Sequence, residues 1–210
     1  MKKNKFLTTL LVFALCAGAV FLVRTFRPDS EAVMKKRMAE RSAGDAKAAV
    51  WITEYFDYQC PPCATAYKVL EEWMEKNPGK IYLQVRYYPL PAHKHAVTAA
   101  VHAECASRQA GKFWKFHGLL FEHQAEWSQD AYPELKFLDY AQQAELELTR
   151  WDACTKDPET AKFIAGEKEE AEKLGVKITP SFFVNGKLVV GTTGLLEALN
   201  AISDEKPAAA

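Results

Sequence analysis

The chain has 210 residues, of which 49% are hydrophobic, and this is enough for one sizeable core and a short appendage. Lysine plus arginine and aspartate plus glutamate number 27 each, so the formal net charge is zero. A general nucleic-acid-binding protein would carry a basic stripe, and nothing in this balance indicates one. We therefore expect no nucleic-acid partner.

The N-terminus predicts a membrane anchor. Three lysines precede eighteen uncharged residues, Phe6 to Val23, and two arginines follow them. As a helix, this stretch would be roughly 27 Å long, close to the hydrocarbon thickness of a bilayer. We predict a signal anchor or transmembrane segment in residues 1–27, with membrane contact through residues 6–23. The alternative is a cleaved signal and a secreted protein, because Ala17-Gly18-Ala19 has the small-x-small pattern of a cleavage site.

The segment after the anchor differs from the rest of the chain. Residues 28–48 are polar, charged and rich in alanine, with helical character from about Ser30 to Ser42. We interpret them as a tether between the membrane and a domain over residues 49–203. Residues 204–210 form a short polar and alanine-rich tail of the kind that frays.

The domain begins with a strand, a helix and a second strand. Val50–Phe56 is apolar and aromatic, which is typical of a buried strand. A helix is predicted over Pro61–Lys76, because apolar residues recur at helical spacing from Cys63 to Met74. Asn77-Pro78-Gly79 ends this helix, and Ile81–Tyr88 is the second predicted strand.

A helical insertion at about residues 92–175 follows the second strand. Glycine, proline and polar breaks divide it into segments of helical pattern. These segments are His93–Ala110, Lys112–Gln124, Glu134–Ala144 and Thr160–Leu174.

The chain then returns to strands. Ser181–Val184 is a predicted strand, Asn185-Gly186 is a strong two-residue hairpin signal, and Leu188–Val190 is the returning strand. A last helix is predicted over Thr193–Ile202. This order predicts an α/β fold whose central sheet mixes parallel and antiparallel pairs, with helices on both faces.

The clearest chemical motif is Cys60-Pro61-Pro62-Cys63. A C-x-x-C pair fits either a zinc site or a redox-active dithiol. A structural zinc site needs four ligands, usually including a second closely spaced pair, whereas the remaining domain cysteines, Cys105 and Cys154, stand alone. Histidines could in principle complete a zinc site, but we favour redox chemistry and expect neither a metal nor an organic cofactor.

The position of the pair favours thiol-disulfide exchange. It follows a buried strand and opens an amphipathic helix, with Cys60 at the N-cap and Pro61 at N1. A helix N-terminus favours negative charge, so we expect an exposed Cys60 thiol with a lowered pKa and a shielded Cys63. The two would act as attacking and resolving cysteines. Because neither proline offers an N–H, we expect weaker thiolate stabilisation than in the strongest oxidants.

Two separated motifs together resemble one family. Glu54-Tyr55-Phe56-Asp57-Tyr58-Gln59-Cys60-Pro61-Pro62-Cys63 is followed much later by Ile178-Thr179-Pro180-Ser181-Phe182-Phe183-Val184-Asn185-Gly186. They resemble the DsbA-like branch of the thioredoxin superfamily over about Val50 to Ile202. The resemblance implies a thioredoxin fold with a helical insertion between the second strand and the cis-proline strand. The second proline of the active-site motif departs from the Cys-Pro-His-Cys pattern of that branch, which argues against a strong oxidase.

The resemblance also implies catalytic roles for three further residues. Pro180 matches the cis-proline beside the active site, where Thr179 would contact the thiol and the substrate backbone. The alternative is a trans proline opening a strand, since most X-Pro bonds are trans. Glu54 matches a buried acid whose raised pKa would let it relay the proton of Cys63. The alternative for Glu54 is an exposed charge on an edge strand.

Members of this branch often carry a second disulfide in the insertion, where Cys105 and Cys154 lie. We favour a bond between them because an exported protein meets an oxidising compartment. Such a bond would contribute on the order of 4 kcal/mol in the loop-entropy model. The alternative is two buried free thiols.

These inferences lead to a protein dithiol-disulfide oxidoreductase on the periplasmic or extracytoplasmic face of the cytoplasmic membrane. Its substrates would be cysteine-containing exported proteins, and oxidase is the leading direction. A quinone-linked membrane partner of the DsbB or vitamin K epoxide reductase type, implied by the resemblance alone, would keep it oxidised. Reductase or isomerase activity is the near alternative. A non-catalytic thioredoxin-like holdase with a structural Cys60–Cys63 disulfide is the alternative of a different class.

Overall fold

The computed structural model describes residues 30–204 of the chain. By its internal contacts the chain separates into two units, residues 1–37 and residues 38–210, and helix α1 comprises Ser30–Glu40. The predicted anchor and most of the predicted tail lie outside the described residues. Within residues 30–204, no helix is both long enough and apolar enough to cross a bilayer.

The second unit is built on one mixed sheet, to which the described residues contribute five strands. These strands are β1 (Ser42–Gly44), β2 (Val50–Phe56), β3 (Ile81–Tyr87), β4 (Ser181–Val184) and β5 (Lys187–Val190). Their order across the sheet is β1-β3-β2-β4-β5. Strands β2 and β3 run parallel, and the other neighbouring pairs are antiparallel. The predicted α/β fold with a mixed sheet is confirmed.

One helix connects β2 to β3, an insertion of helices separates β3 from β4, and a last helix follows β5. The helices are α2 (Pro61–Lys76), α3 (Ala96–Ser107), α4 (Phe113–Glu122), α5 (Gln124–Trp127), α6 (Glu134–Gln143), α7 (Leu148–Thr155), α8 (Pro158–Lys173) and α9 (Gly191–Asp204). The insertion therefore lies where the sequence predicts it, between the second predicted strand and the strand that follows Pro180.

The sequence singles out neither α5 beyond Gln124 nor α7. Helix α7 lacks a clear start signal. Its N-cap is Glu147, whose side chain accepts hydrogen bonds from the backbone N–H groups of Thr149 and Arg150. Glutamate is not among the residues preferred at this position. The start of this short helix therefore carries no recognisable capping signal.

The β4–β5 hairpin forms as its turn residues predict. Asn185 and Gly186 have φ angles of 46° and 83°, and a two-residue turn with positive φ at both positions matches the right-handed twist of the flanking strands. The Asn185 side chain also accepts a hydrogen bond from the backbone N–H of Trp51, at 2.8 Å. The hairpin is thereby fastened to the start of β2.

The junction assigned to the tether contains part of the folded domain. Strand β1 pairs with β3, with Ala43 opposite Leu83. Arg41, immediately before β1, is completely buried, and its guanidinium donates two hydrogen bonds to the Glu167 carboxylate at 2.7 and 2.8 Å. The domain boundary predicted at residue 49 is therefore too late. The three residues Ser-Ala-Gly have low strand propensity, so the sequence gives no sign that they join the sheet.

Candidate active site

The two cysteines lie where the central strand β2 passes into helix α2. Cys60 is the N-cap, with extended backbone angles (φ −81°, ψ 116°), and Pro61 and Pro62 occupy the first helical positions. The carbonyl oxygen of Cys60 accepts the backbone N–H of Cys63 at 3.0 Å, which closes the first turn. This is the placement predicted from the sequence.

Both thiols are in the reduced form and both are shielded from solvent. Cys63 is completely buried, and Cys60 is only 4% exposed. The expectation of an exposed Cys60 thiol is therefore wrong for the reduced protein. The Cys60 sulfur lies under the loop that precedes β4, where the thiol donates a hydrogen bond to the carbonyl oxygen of Thr179 at 3.5 Å.

The pKa values of the two thiols move in opposite directions. A hydrogen bond from the Cys63 thiol is the main cause that lowers the pKa of Cys60 to about 6, with further help from Thr179 and from the backbone N–H of Cys63. Burial and the neighbouring Cys60 raise the pKa of Cys63 well above its usual value. One thiol is therefore largely ionised at neutral pH, while the other keeps its proton.

The two prolines limit how far the pKa of Cys60 falls. Pro61 and Pro62 have no N–H, so the first backbone donor of the helix that can meet the Cys60 thiolate is Cys63, as the sequence predicts. The resulting pKa of about 6 lies between the values of about 7 for thioredoxin and about 3.5 for DsbA. Charge also opposes the thiolate, because the nearby Asp57 carboxylate raises the pKa of Cys60.

The loop beside Cys60 carries the second motif. The peptide bond between Thr179 and Pro180 is cis. The alternative of a trans proline that opens a strand therefore does not describe this structure. The side-chain oxygen of Thr179 is buried and has no hydrogen-bond partner among the described residues. The carbonyl oxygen of Pro180 accepts the N–H of Gly191 at 2.9 Å, which ties the loop to the start of α9.

Glu54 lies inside the sheet. It stands on the central strand β2, opposite Val85 on β3 and Phe182 on β4, and it is only 3% exposed. The alternative of an exposed edge charge is therefore wrong. Burial, together with the nearby Cys60, raises the pKa of Glu54 to about 8, so its carboxyl group is mostly protonated at neutral pH.

Asp57 organises the backbone around the first cysteine. Its carboxylate accepts the backbone N–H of Gln59 at 2.7 Å and that of Leu90 at 2.8 Å. The same carboxylate contacts Nδ1 of His93 at 2.7 Å. The β2–α2 turn is thus held to the loop that follows β3. The sequence alone does not indicate this role for Asp57.

Two glutamines fasten the active-site turn to the insertion. Nε2 of Gln124 donates to the carbonyl oxygens of Tyr58 and Cys60 at 2.7 and 2.9 Å. Gln59 accepts the backbone N–H of His95 at 2.7 Å, and its amide group donates to a carbonyl oxygen in the loop after α5 at 2.8 Å. Sequence reasoning missed these contacts because they join residues far apart in the chain and follow no local pattern.

An aromatic cluster packs beneath the same turn. The Tyr58 hydroxyl lies 2.8 Å from Nδ1 of His117, and both side chains are buried. Burial lowers the pKa of His117 to about 3, so its imidazole is neutral. The rings of Phe56 and Phe121 lie against this pair. The cluster supplies apolar packing and no positive charge.

The remaining two cysteines lie apart from this site, within the insertion. Cys105 on α3 and Cys154 on α7 form a disulfide with sulfur atoms 2.02 Å apart. The alternative of two free thiols therefore does not describe this structure. Among residues 30–204, no group of three or more His, Cys, Asp or Glu side chains is arranged to hold a metal ion.

Comparison with known proteins places the chain in a family. The family model described as Thioredoxin matches residues 36–204. The chain belongs to the thioredoxin family. The match begins before the predicted boundary at residue 49, which agrees with the place of β1 in the sheet.

Curated relatives differ greatly in length. A Na(+)/H(+) antiporter NhaA 3 from Salinispora tropica is 33% identical over 93% of this chain, but the match covers only 30% of that protein. The chain therefore spans about a third of the length of the first relatives it matches. The probable disulfide bond formation protein D of Bacillus cereus is 24% identical, and the match covers 90% of this chain and 92% of that protein.

Solved structures show the same fold. A thioredoxin-like oxidoreductase from Silicibacter pomeroyi is 27% identical with a TM-score of 0.63, covering 79% of this chain and 92% of that one. Wolbachia pipientis alpha-DsbA1, at 24% identity, superposes with a TM-score of 0.66 over 78% of this chain and 88% of its own. The resemblance to DsbA-like proteins predicted from the two motifs is confirmed, as is the thioredoxin fold.

Proposed function

We propose that this protein is a thiol-disulfide oxidoreductase that donates its Cys60–Cys63 disulfide to cysteine-containing exported proteins. The observation that carries the proposal is the opposite displacement of the two thiol pKa values at one helix N-terminus. A structural disulfide, as in a holdase, has no need of one stabilised thiolate and one protonated partner. Exchange needs both.

The reaction begins with the oxidised protein. A substrate thiolate attacks the Cys60 sulfur, a mixed disulfide forms, and Cys63 leaves with the electron pair. A second thiolate of the substrate then attacks the substrate sulfur that is bonded to Cys60, which forms the substrate disulfide and releases the Cys60 thiolate. The substrate loses two electrons and gains a disulfide, and the protein becomes the dithiol described above. Cys60 is the better final leaving group, because a thiol of lower pKa leaves faster.

Glu54, Thr179 and Pro180 are assigned supporting catalytic roles in this proposal. Glu54 carries a pKa of about 8 and would deliver the proton that the departing Cys63 thiolate takes up. The carbonyl oxygen of Thr179 already contacts the Cys60 sulfur, so the loop is close enough to align a substrate backbone. The cis bond to Pro180 sets the direction of that loop.

Oxidation is the favoured direction, but with moderate driving force. A stabilised Cys60 thiolate favours the reduced protein and so makes its disulfide a donor. The pKa of about 6 supports a weaker oxidant than one whose thiolate has a pKa of about 3.5. Reductase or isomerase activity is the second candidate, and the same moderate pKa is the observation that favours it.

The cellular setting is part of the proposal. The Cys105–Cys154 disulfide fits an oxidising compartment outside the cytoplasm, and the N-terminal sequence fits an anchor in the cytoplasmic membrane. A quinone-linked membrane protein of the DsbB or vitamin K epoxide reductase type would then reoxidise the dithiol. Cysteine-containing exported proteins would be the substrates.

The test is an equilibrium with glutathione, measured on the full chain in a neutral detergent. We expect a potential between those of thioredoxin and DsbA, about −270 and −120 mV, and loss of the exchange in Cys60→Ser. In a second variant, Cys63→Ser, the Cys60 thiolate should attack a disulfide-containing substrate, release one substrate thiol and remain in the mixed disulfide, because no resolving thiol is left to break it. A potential well below that range would identify a reductant, and no exchange at all would refute the enzyme proposal.

A further inference from the structure

A cavity of about 290 Å³ opens between helices α2 and α4 and the strands β1, β2 and β3. Its volume is at the small end of the range found for ligand-binding sites. Glu54 is one of its lining residues, whereas neither Cys60 nor Cys63 is. The cavity therefore reaches Glu54 by a route separate from the thiols.

The walls of this cavity are mainly apolar. Leu70 and Met74 line it from α2, Leu83 and Val85 from β3, and Trp114 from α4. The Trp114 indole N–H is already satisfied by a backbone carbonyl oxygen of β1, at 3.1 Å. These side chains offer a surface for an apolar body and no further hydrogen bonds.

Each polar side chain that lines the cavity is either a carboxylic acid or uncharged. Glu54, Glu71 and Glu75 contribute three carboxyl groups, and no lysine or arginine is among the described lining residues. His117 also lines the cavity, but burial keeps its imidazole uncharged. Glu71 accepts the Tyr67 hydroxyl at 3.0 Å. By contrast, Oε1 of Glu54 is buried and has no hydrogen-bond partner among the described residues.

We propose that this cavity binds a small organic cation, of the class of short alkylammonium ions, with its ammonium group paired to the Glu54 carboxylate. The apolar walls fit the alkyl chain, and the three carboxyl groups fit the charge. An anion would meet only like charges, which disfavour it. A neutral apolar molecule would leave the Glu54 oxygen without a partner, which is costly in a buried site.

Such binding would be linked to the ionisation of Glu54. The titratable groups around this carboxyl are Cys60 at the N-cap of α2, Cys63 in α2, Tyr58 in the turn and His117 in α4. The other titratable residues that line the cavity are Tyr67, Glu71 and Glu75. None of them supplies a positive charge at neutral pH, so a bound cation would be the first to do so. By linkage, the cation binds the ionised form more tightly and favours loss of the Glu54 proton.

A regulatory consequence follows, and this part rests on the proposed function. If Glu54 delivers the proton that Cys63 takes up, an occupied cavity holds Glu54 in its ionised form. The first exchange step, in which Cys63 leaves as the mixed disulfide forms, would then lose its nearby acid. The ligand would slow exchange without touching either thiol or the loop of Thr179 and Pro180, since none of these residues lines the cavity.

Calorimetric titration of the full chain with n-butylammonium tests the binding itself. Its ammonium group has a pKa near that of lysine, about 10.4, so the probe stays charged from pH 7 to 9. Over that range the ionised fraction of Glu54 rises about tenfold from its pKa of about 8, and we expect the affinity to rise about tenfold. 1-Butanol is the matched neutral probe and also reports partition into detergent.

Two variants locate the site. Glu54→Gln should remove the preference for n-butylammonium over 1-butanol, and the exposed Glu169→Gln on α8 should keep it. Ala43→Leu would fill the cavity from β1 while leaving Glu54 intact, and it should abolish binding in a protein that still unfolds cooperatively. Equal affinities for cation and alcohol, or unchanged cation binding in Glu54→Gln, would overturn the proposal. Because calorimetry does not require disulfide exchange, this outcome is separate from failure of the proposed enzyme activity.

Discussion

The amide nitrogen Nε2 of Gln124 lies 2.9 Å from the carbonyl oxygen of Cys60 and donates a hydrogen bond to it. The same nitrogen donates to the carbonyl oxygen of Tyr58 at 2.7 Å. Both carbonyl groups belong to the turn that carries the attacking cysteine, and Gln124 belongs to the insertion. The insertion therefore contributes directly to the geometry of the thiol site, through one buried side chain.

Replacing Gln124 with methionine should affect both stability and thiol chemistry. The variant removes this donor from the carbonyl groups of both Tyr58 and Cys60, and a buried carbonyl group left without its donor costs about 1–3 kcal/mol of unfolding free energy. It also loosens the turn that presents the Cys63 N–H, so the pKa of Cys60 should rise from about 6. Denaturant unfolding and the ultraviolet absorbance of the thiolate measure the two effects. The exposed Gln142→Met is the matched control, and an unchanged Cys60 pKa would show that Gln124 acts in folding alone.

The variant Thr179→Val separates the effect of the Thr179 hydroxyl on the Cys60 pKa from its effect on the stability of the fold. The Thr179 hydroxyl has no partner within residues 30–204 while Cys60 carries its proton, but as a donor to the Cys60 thiolate it helps to lower the pKa of Cys60. Its removal should therefore raise that pKa, whereas the contact between the Cys60 thiol and the Thr179 carbonyl oxygen is retained. The Thr179 hydroxyl is buried without a hydrogen-bond partner among the described residues. Its loss should therefore leave stability unchanged or raise it by about 1 kcal/mol. Thiolate titration measures the Cys60 pKa, and thermal unfolding measures the stability of the variant. A marked loss of stability would contradict the prediction.

Sequence patterns predict the local elements of this domain well. The bounds of β2, α2 and β4 agree with the prediction because each has its own signal: a continuous apolar strand, two prolines followed by helical periodicity, and a strand before Asn185-Gly186. The positions of Cys60 and Cys63 follow from the same local pattern. Burial of Cys60 does not, since it depends on a loop 119 residues further along the chain.

The features that the sequence did not reveal depend on contacts between distant residues. Arg41 lies in the segment that the sequence predicts to be a tether, yet its partner Glu167 is 126 residues away. A lone arginine in a polar stretch is usually exposed, and no periodicity distinguishes this one. Gln124 similarly ends a predicted helix and gives no sign that it reaches the active-site turn.

The Arg41–Glu167 ion pair indicates that the folded domain includes residue 41. Arg41→Met leaves the buried Glu167 carboxylate with only part of its compensation, since Arg86 also contacts it at 3.1 Å. Breaking a buried pair by removing one partner typically costs about 3–5 kcal/mol, and we expect a loss in this range. Lys76→Met, which removes an exposed pair with Glu72, should have little effect. Chemical denaturation measures the free energy of unfolding of the two variants. Equal values would mean that Arg41 does not stabilise the domain and belongs to the tether, as the sequence predicts.

Glu54→Gln should change how stability depends on pH. The pKa of Glu54 rises from 4.5 to about 8 on folding, so between these values the folded state holds a proton that the unfolded state has released. The stabilising contribution of this group is complete below about pH 4.5 and is lost as the pH rises through about 8. Glutamine cannot ionise, so the variant should gain stability relative to the parent protein across that window, by a few kcal/mol. Denaturant unfolding of both proteins at acidic, neutral and mildly alkaline pH measures the difference, with Glu75→Gln as the control at the cavity rim. A difference that stays constant with pH would mean that the Glu54 carboxyl group ionises as freely in the folded chain as in the unfolded one, and the proton-relay role would lose its basis.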